Sequence, residues 1–263
     1  MKSLASKRLS QKQCGPLPAQ AAAFRRRLLA WYTRHRRALP WRGLTDPYAV
    51  LVSEIMLQQT QVVRVREYFP GFLRRYPTVE ELAAAPDDAV RESWAGLGYY
   101  ARARNLHSAA RQITADHGGT VPRDPEVLRR LPGIGRYTAG AVASIAYGDP
   151  VAAVDTNVAR VLSRVFRVRG AAKSARRERT LWALAAALLP PRRAGDWNQA
   201  LMDLGATVCL ARRPRCAICP LGAVCASRAV LTPKPSRRGK GTRRRGRRRP
   251  RHPSWCCATA PRT

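Results

Sequence analysis

Acidic residues are scarce. Asp and Glu together number 16 against 49 Lys and Arg, so the 263-residue chain carries a formal charge of +33. An imbalance of that size makes a polyanion the partner to expect, nucleic acid first and an acidic membrane surface second. No apolar run approaches the roughly 18 residues a membrane-spanning helix needs, which excludes an integral helical membrane protein. The first 20 residues are basic but lack an apolar stretch, so no secretory signal is visible. No internal repeat occurs. No convincing strand pattern occurs either, because alanine is abundant and β-branched runs are short.

What is present suffices for a folded core, since 45% of the residues are hydrophobic. At about 150 residues per domain, the length fits one or two domains. The charge is not confined to a tail. From Ala226 onward there are 13 basic residues and no acidic one, and removing them still leaves +20 on the body. The stretch from Ser236 to Pro250, SRRGKGTRRRGRRRP, is low-complexity and cannot build a core.

Helical patterns dominate from Ala21, with Gly and Pro as punctuation. The clearest helix follows Asp46-Pro47, a capping residue and a residue suited to the first turn. Tyr48, Leu51, Val52, Ile55 and Met56 keep helical spacing, while Val50 and Leu57 cover the other side. A helix apolar on nearly all sides is buried, yet Ser53 and Glu54 sit inside it. Further helices are expected at about 80–95, 101–117, 125–131, 136–147, 156–167, 177–189 and 197–208.

Cysteine usage points to a metal centre. Seven cysteines and no secretory signal argue against a disulfide framework. Cys209, Cys216, Cys219 and Cys225 form C-x6-C-x2-C-x5-C. Four thiolates close the coordination of a [4Fe-4S] cluster. Zinc also accepts four cysteines, although its sites usually show two close pairs. Arg212, Arg213 and Arg215 make the loop between the first two cysteines basic and suited to a phosphate backbone. Between two helical patterns, Leu131-Pro132-Gly133-Ile134-Gly135 is a turn whose glycines allow close backbone approach and whose amides suit a phosphate.

These pieces occur in one order: SEIMLQQTQV at 53–62, GLGYYARARNL at 96–106, LPGIGRYTAGAV at 131–142, VDTNVARV at 154–161, then the four cysteines. Together they resemble the helix-hairpin-helix base-excision DNA glycosylases with an iron–sulfur cluster, and within them the A/G-specific adenine glycosylases of the MutY type. The resemblance covers roughly residues 21 to 228. It implies an all-α fold: a six-helix barrel bearing the hairpin at 45–151, and a [4Fe-4S] domain formed by 21–44 and 152–228. Residues 1–20 and 229–263 are expected to be disordered. It further implies a monofunctional enzyme that flips and excises adenine mispaired with 8-oxoguanine or guanine in double-stranded DNA. A monomer in the cytoplasm, associated with the bacterial nucleoid, is the expected setting.

The same resemblance implies the site. Excision needs a proton for the leaving base and stabilisation for an oxocarbenium-like sugar, a two-carboxylate logic. Glu54 matches the acid, and burial in its helix would raise its pKa. Asp155 matches the anion that faces the sugar, at a helix start that favours negative charge, with Asn157 beside it. Tyr137 stands where the endonuclease III branch carries an imine-forming lysine, which argues against strand cleavage. Trp41, Arg42 and Gln199 match residues around the adenine; Arg42 only donates, whereas Gln199 donates and accepts, as the N6/N7 edge requires. Gln59 and Tyr99 match the residues that probe the opposite base and wedge into the stack. Gly133, Ile134 and Gly135 match the backbone-binding hairpin, and Cys209, Cys216, Cys219 and Cys225 the cluster ligands. Arg102 and Arg104 are expected to face phosphate.

The resemblance also meets a departure. Relatives commonly carry a C-terminal Nudix-like domain that reads 8-oxoguanine, and the 38 residues after Cys225 are too few for one. Their composition suits a disordered electrostatic arm and equally an out-of-frame remnant of a GC-rich gene. Three other readings remain beside the first: an endonuclease III-type glycosylase/lyase for oxidised pyrimidines, a non-catalytic iron–sulfur DNA-binding protein, and RNA binding through the tail.

Overall fold

A computed structural model of the chain describes residues 20–171 and 174–231. The segments expected to be disordered lie largely outside these residues, as do Cys14, Cys256 and Cys257. The described residues form helices and no strand, the all-α class expected.

The helices run α1 (Ala21–His35), α2 (Pro47–Leu57), α3 (Val62–Arg75), α4 (Val79–Ala84), α5 (Asp87–Ser93), α6 (Ala101–His117), α7 (Pro125–Leu128), α8 (Arg136–Ile145), α9 (Thr156–Val165), α10 (Ala175–Leu188), α11 (Ala194–Thr207) and α12 (Arg228–Leu231). Local chemistry sets several boundaries. Asp46 caps α2 by accepting from the amides of Tyr48 and Ala49, with Pro47 in the first turn. Asp155 caps α9 and Ser174 caps α10 in the same manner. The single helix expected over 80–95 is two helices instead. Pro86 lacks an amide and drives Ala85 into extended backbone, so α4 ends and α5 begins around it. Helix α3, with Pro70 inside it, is absent from the expected set. The turn Arg228–Leu231 carries helix into the segment expected to open the disordered tail.

The core has two clusters. One spans Trp41 to Val142 and includes Leu51, Ile55, Phe69, Trp94 and Leu106. The other joins Phe24, Leu28 and Tyr32 of α1 to Val161, Trp182, Trp197 and Leu204. Helix α8 belongs to both: Ala139 and Val142 face the first cluster, Ala141 the second. The seam between the clusters therefore runs along α8.

Close backbone approach positions the chain beside that seam. A Cβ on Gly140 would lie 2.2 Å from the carbonyl oxygen of Ala152, and one on Gly195 would lie 2.7 Å from that of Ser144. Asn198 of α11 pins the same strap, donating to Ser144 Oγ and to the Val151 carbonyl at 2.8 and 2.9 Å. The strap from Val151 to Val154 leads directly into Asp155. Gly140→Ala should therefore lower stability by about 1–3 kcal/mol or more, because backbone rather than a flexible side chain must yield. Urea unfolding measures it; an unchanged midpoint would contradict the close approach.

Candidate active site

Glu54 lies on α2, where every residue from Tyr48 to Met56 is buried. It is itself 3% exposed. Across the seam, Tyr137 in the first turn of α8 donates its hydroxyl to Glu54 Oε2 at 2.7 Å. Burial raises the pKa of Glu54, the Tyr137 hydrogen bond and the Arg42 charge pull it down, and the charge of Asp155 pushes it further up. Burial wins, so the carboxyl keeps its proton to higher pH than an exposed glutamate. Tyr137 is itself held well above its ordinary pKa by burial and by the neighbouring Glu54, which keeps the phenol protonated as a donor. Tyr137→Phe removes a bond that favours the ionised carboxylate, so Glu54 should titrate at still higher pH. A carboxyl titration by carbon NMR checks this; a downward move would contradict the geometry.

Asp155 stands at the N-cap of α9. Its Oδ1 accepts from the amide of Val158 at 2.7 Å, and its Oδ2 accepts from Asn157 Nδ2 at 2.8 Å. Both bonds orient a carboxylate at the positive end of a helix. The network continues outward. Arg160 Nη2 donates to Asn157 Oδ1 at 2.7 Å and to the Gly205 carbonyl at 2.8 Å, and its Nε donates to the Cys209 carbonyl at 2.8 Å. Asp155 is thus linked, through Asn157 and Arg160, to the first cysteine of the motif.

A second polar group borders the seam. Arg42 donates from Nη1 to Gln199 Oε1 and from Nη2 to Asp203 Oδ1, each at 2.7 Å. Asp203 is fully buried and also accepts from Arg37. Since a guanidinium has only donors, the Gln199 atom facing Arg42 must be oxygen. Its amide nitrogen makes no hydrogen bond among the described residues, and neither does the buried Nε–H of Arg42. Gln199 Oε1 also accepts from the Tyr32 hydroxyl at 3.4 Å, so in this arrangement its oxygen faces protein donors and its amide N–H groups are the ones left to offer. Trp41 is 3% exposed and packs edge-on against Phe69, as a wall of the core. Asp203 is missing from the sequence expectations. An acid in the apolar run ALMDLG, four residues after Gln199 and so on the same helical face, was the available signal.

The remaining expected residues lie on loops. Gln59 and Tyr99 are exposed, and both adopt left-handed backbone, with φ of 56° and 48°. Gly133 has φ 74°, and a Cβ there would strike Asn105 at 2.7 Å. Ile134 is buried in the first cluster, anchoring the turn, and Gly135 begins α8 with no side-chain cap and open space before it. The first amides of α8 are therefore available to an anion. Arg104 is exposed, as expected. Arg102 is not: it is 7% exposed and bonded to five protein oxygens, so its assignment to phosphate is withdrawn. Burial on the α6 face that carries Leu106 and Ala110 is the reason.

Cys209, Cys216, Cys219 and Cys225 line one pocket with Val161, Val165 and Leu221. They form no disulfide. No set of three or more His, Cys, Asp or Glu among the described residues is arranged around a single ion. A four-iron cluster binds each thiolate to a different iron, so its ligands stand around a wider space. The donor set fits that group. Burial pushes the Cys219 thiol up to about 11, and the other three thiols add to the rise. Holding such thiols as thiolates takes a cation beside them. Arg164 supports the loop, donating to the carbonyl of Leu210 at 2.6 Å and lying 3.4 Å from Cys209 Sγ. Arg212, Arg213 and Arg215 of the loop are exposed. No helix among the described residues is long and apolar enough to cross a membrane.

Known proteins align with this arrangement. Residues 52–187 match the HhH-GPD superfamily of base excision DNA repair proteins. Over 219 residues the chain is 48% identical to the adenine DNA glycosylase of Homo sapiens, a match covering 80% of this chain and 40% of that protein. It is 47% identical over 219 residues to the adenine DNA glycosylase of Mycobacterium tuberculosis, covering 81% of this chain and 71% of that one. The chain spans about two fifths of the length of the mammalian relatives it matches. Among solved structures, a thermostable thymine-DNA glycosylase superposes with a TM-score of 0.74 at 32% identity, covering 80% of this chain and 97% of that one. A non-covalent endonuclease III–DNA complex superposes with a TM-score of 0.67 at 26% identity, with the same coverage.

Proposed function

The chain belongs to the HhH-GPD superfamily of base excision DNA repair proteins, and from that premise we propose that it hydrolyses the N-glycosidic bond of adenine mispaired with 8-oxoguanine or guanine. The observation that carries the reading is the buried Glu54, its pKa raised by desolvation, joined to Tyr137 across the seam, with Asp155 held at the start of α9 nearby. A base reaches such a pocket only by leaving the duplex stack. Glu54 then gives its proton to the departing adenine as the bond to the sugar breaks, the Asp155 carboxylate stabilises the positive charge that develops on the sugar, and water adds to the anomeric carbon and releases the proton that restores Glu54. The free donors of Arg42 and Gln199 suit ring-nitrogen acceptors of adenine. Tyr137 has no amine for an imine, and its hydroxyl is committed to Glu54, so the enzyme leaves the strand intact.

DNA enters this reading through charge and backbone. The uncapped start of α8 at Gly133–Gly135 and the arginines of the cysteine loop are the phosphate-binding elements. We assign a [4Fe-4S] cluster to Cys209, Cys216, Cys219 and Cys225. When bound, it joins the four thiolates into one node and so fixes the Arg-rich loop. The two core clusters then correspond to a barrel and a cluster-bearing half.

The test is single-turnover cleavage of end-labelled duplexes containing A opposite 8-oxoguanine, A opposite guanine, or thymine glycol opposite A, with and without alkali. Alkali-dependent breaks at adenine alone are the expected result. Alkali-independent breaks at thymine glycol would move the chain to the endonuclease III type and overturn the reading of Tyr137. No breaks at all, with duplex binding intact, would leave a non-catalytic binder.

A further inference from the structure

We propose that Arg102 is a positioning residue that locks the two exposed probes, Gln59 and Tyr99, into one frame while itself touching no DNA. The proposal rests on the glycosylase reading, in which those probes enter the duplex. Its evidence is the geometry of one guanidinium. Nη1 donates to the carbonyls of Ile55 and Met56 at 3.0 and 2.7 Å. Both carbonyls belong to the last turn of α2, where no amide four residues on continues the helix, and that of Ile55 also accepts from the Gln58 amide. Nη2 donates to Thr60 Oγ1 at 2.8 Å, to the Leu97 carbonyl at 3.2 Å and to the Gly98 carbonyl at 3.0 Å. A single nitrogen therefore joins the residue after Gln59 to the residue before Tyr99.

The guanidinium also lies 5.5 Å from the Trp94 ring centroid and 5.6 Å from that of Tyr99. The Trp94 ring is fully buried, so one side of the frame is rigid. The probes need such support. Gln59 and Tyr99 both hold left-handed backbone without being glycine. Conformations of that kind persist only where the surroundings over-determine them. Tyr99 nevertheless stays 60% exposed, and Gln59 is exposed too. Arg102 thus holds the backbone of both loops and leaves both side chains outward. A lysine could not replace it, because a single ammonium lacks the planar fork that reaches both loops.

The experiment uses the full chain and a duplex with A opposite 8-oxoguanine and 2-aminopurine beside the mismatch. Rising 2-aminopurine fluorescence at saturating protein reports insertion of the probes, whether or not excision follows. Arg102→Lys and Arg102→Met should each remove most of that rise. Thr60→Val, which deletes one acceptor at a partly exposed position, should remove a smaller part. Single-turnover excision should fall about tenfold or more in the arginine variants on the paired substrate, and less than about threefold when the adenine faces an abasic site and less stacking must be broken. The log–log salt slope of binding should be unchanged in Arg102→Met. A slope reduced by about 0.9 would make Arg102 a phosphate contact and overturn the proposal. Equal losses on both substrates would overturn it as well, leaving only a general structural role. If the wild type excises nothing yet raises the fluorescence, the glycosylase reading fails while the role of Arg102 is still decided by the fluorescence of its variants.

Discussion

Glu54→Gln should reduce single-turnover adenine excision by roughly 10²–10⁴-fold, the range expected for a lost general acid, while duplex affinity stays near wild type. The same substitution should stabilise the protein. In the folded state the pKa of Glu54 is raised, chiefly by burial, whereas the unfolded chain returns it to the ordinary carboxylate value. Its favourable contribution to stability is therefore complete below that ordinary value and is lost as pH rises through the raised one. Above it, the fold carries a buried anion. Glutamine carries none and can still accept from the Tyr137 hydroxyl. The melting temperature of Glu54→Gln should exceed wild type by a margin that grows as pH rises from the ordinary carboxylate value towards the raised one and then levels off, at about 2–4 °C per kcal/mol. Near wild-type turnover would remove Glu54 from the chemistry. A variant less stable than wild type at pH 8.5 would contradict the burial argument.

Asp155→Asn should cost about 10²–10³-fold in the same assay, the scale of a deleted electrostatic stabiliser. Asparagine keeps the helix cap, since its oxygen still accepts from the Val158 amide. The loss therefore isolates charge from folding. The pH–rate profile supplies a second readout. The Asp155 charge raises the pKa of Glu54, so removing it should move the descending limb of the residual activity to lower pH. Tyr137→Phe should move that limb the other way. Shifts in the same direction for both variants would show that the two groups do not act on Glu54 as the geometry requires.

Helix α2 and its Glu54 were legible because the signals agree: Asp46 caps, Pro47 starts, and apolar residues cover nearly every side. Asp155 was legible as a cap for the same local reason. Arg102 was not, because a charge in a basic chain was read as surface. Helical spacing already pointed inward, since Arg102, Leu106, Ala109, Ala110 and Ile113 share the buried face of α6. The break at Pro86 is written in proline chemistry, but the apolar periodicity of the two flanking helices continues across it and masks it. The Asp155–Asn157–Arg160 chain is local to the start of α9, two and three residues apart. Its reach to Gly205 and Cys209, the orientation of the Gln199 amide and the close approaches at Gly140 and Gly195 depend on which helices cross, which local sequence does not state. The family resemblance supplied the candidate residues, and geometry supplied their partners.

The union of α1 with α11 has a consequence during synthesis. Phe24 packs edge-on against Trp197 at 5.2 Å, about 170 residues further along the chain. A ribosome adding 5–20 residues per second makes that partner roughly 10–35 s after Phe24. The apolar face of α1, with Phe24, Leu28 and Tyr32, therefore emerges long before the surface that buries it. Nascent chains halted before α11 should hold α1 accessible to protease and to chaperones, although the first core cluster is already encoded. The second cluster can close only when α11 has left the exit tunnel.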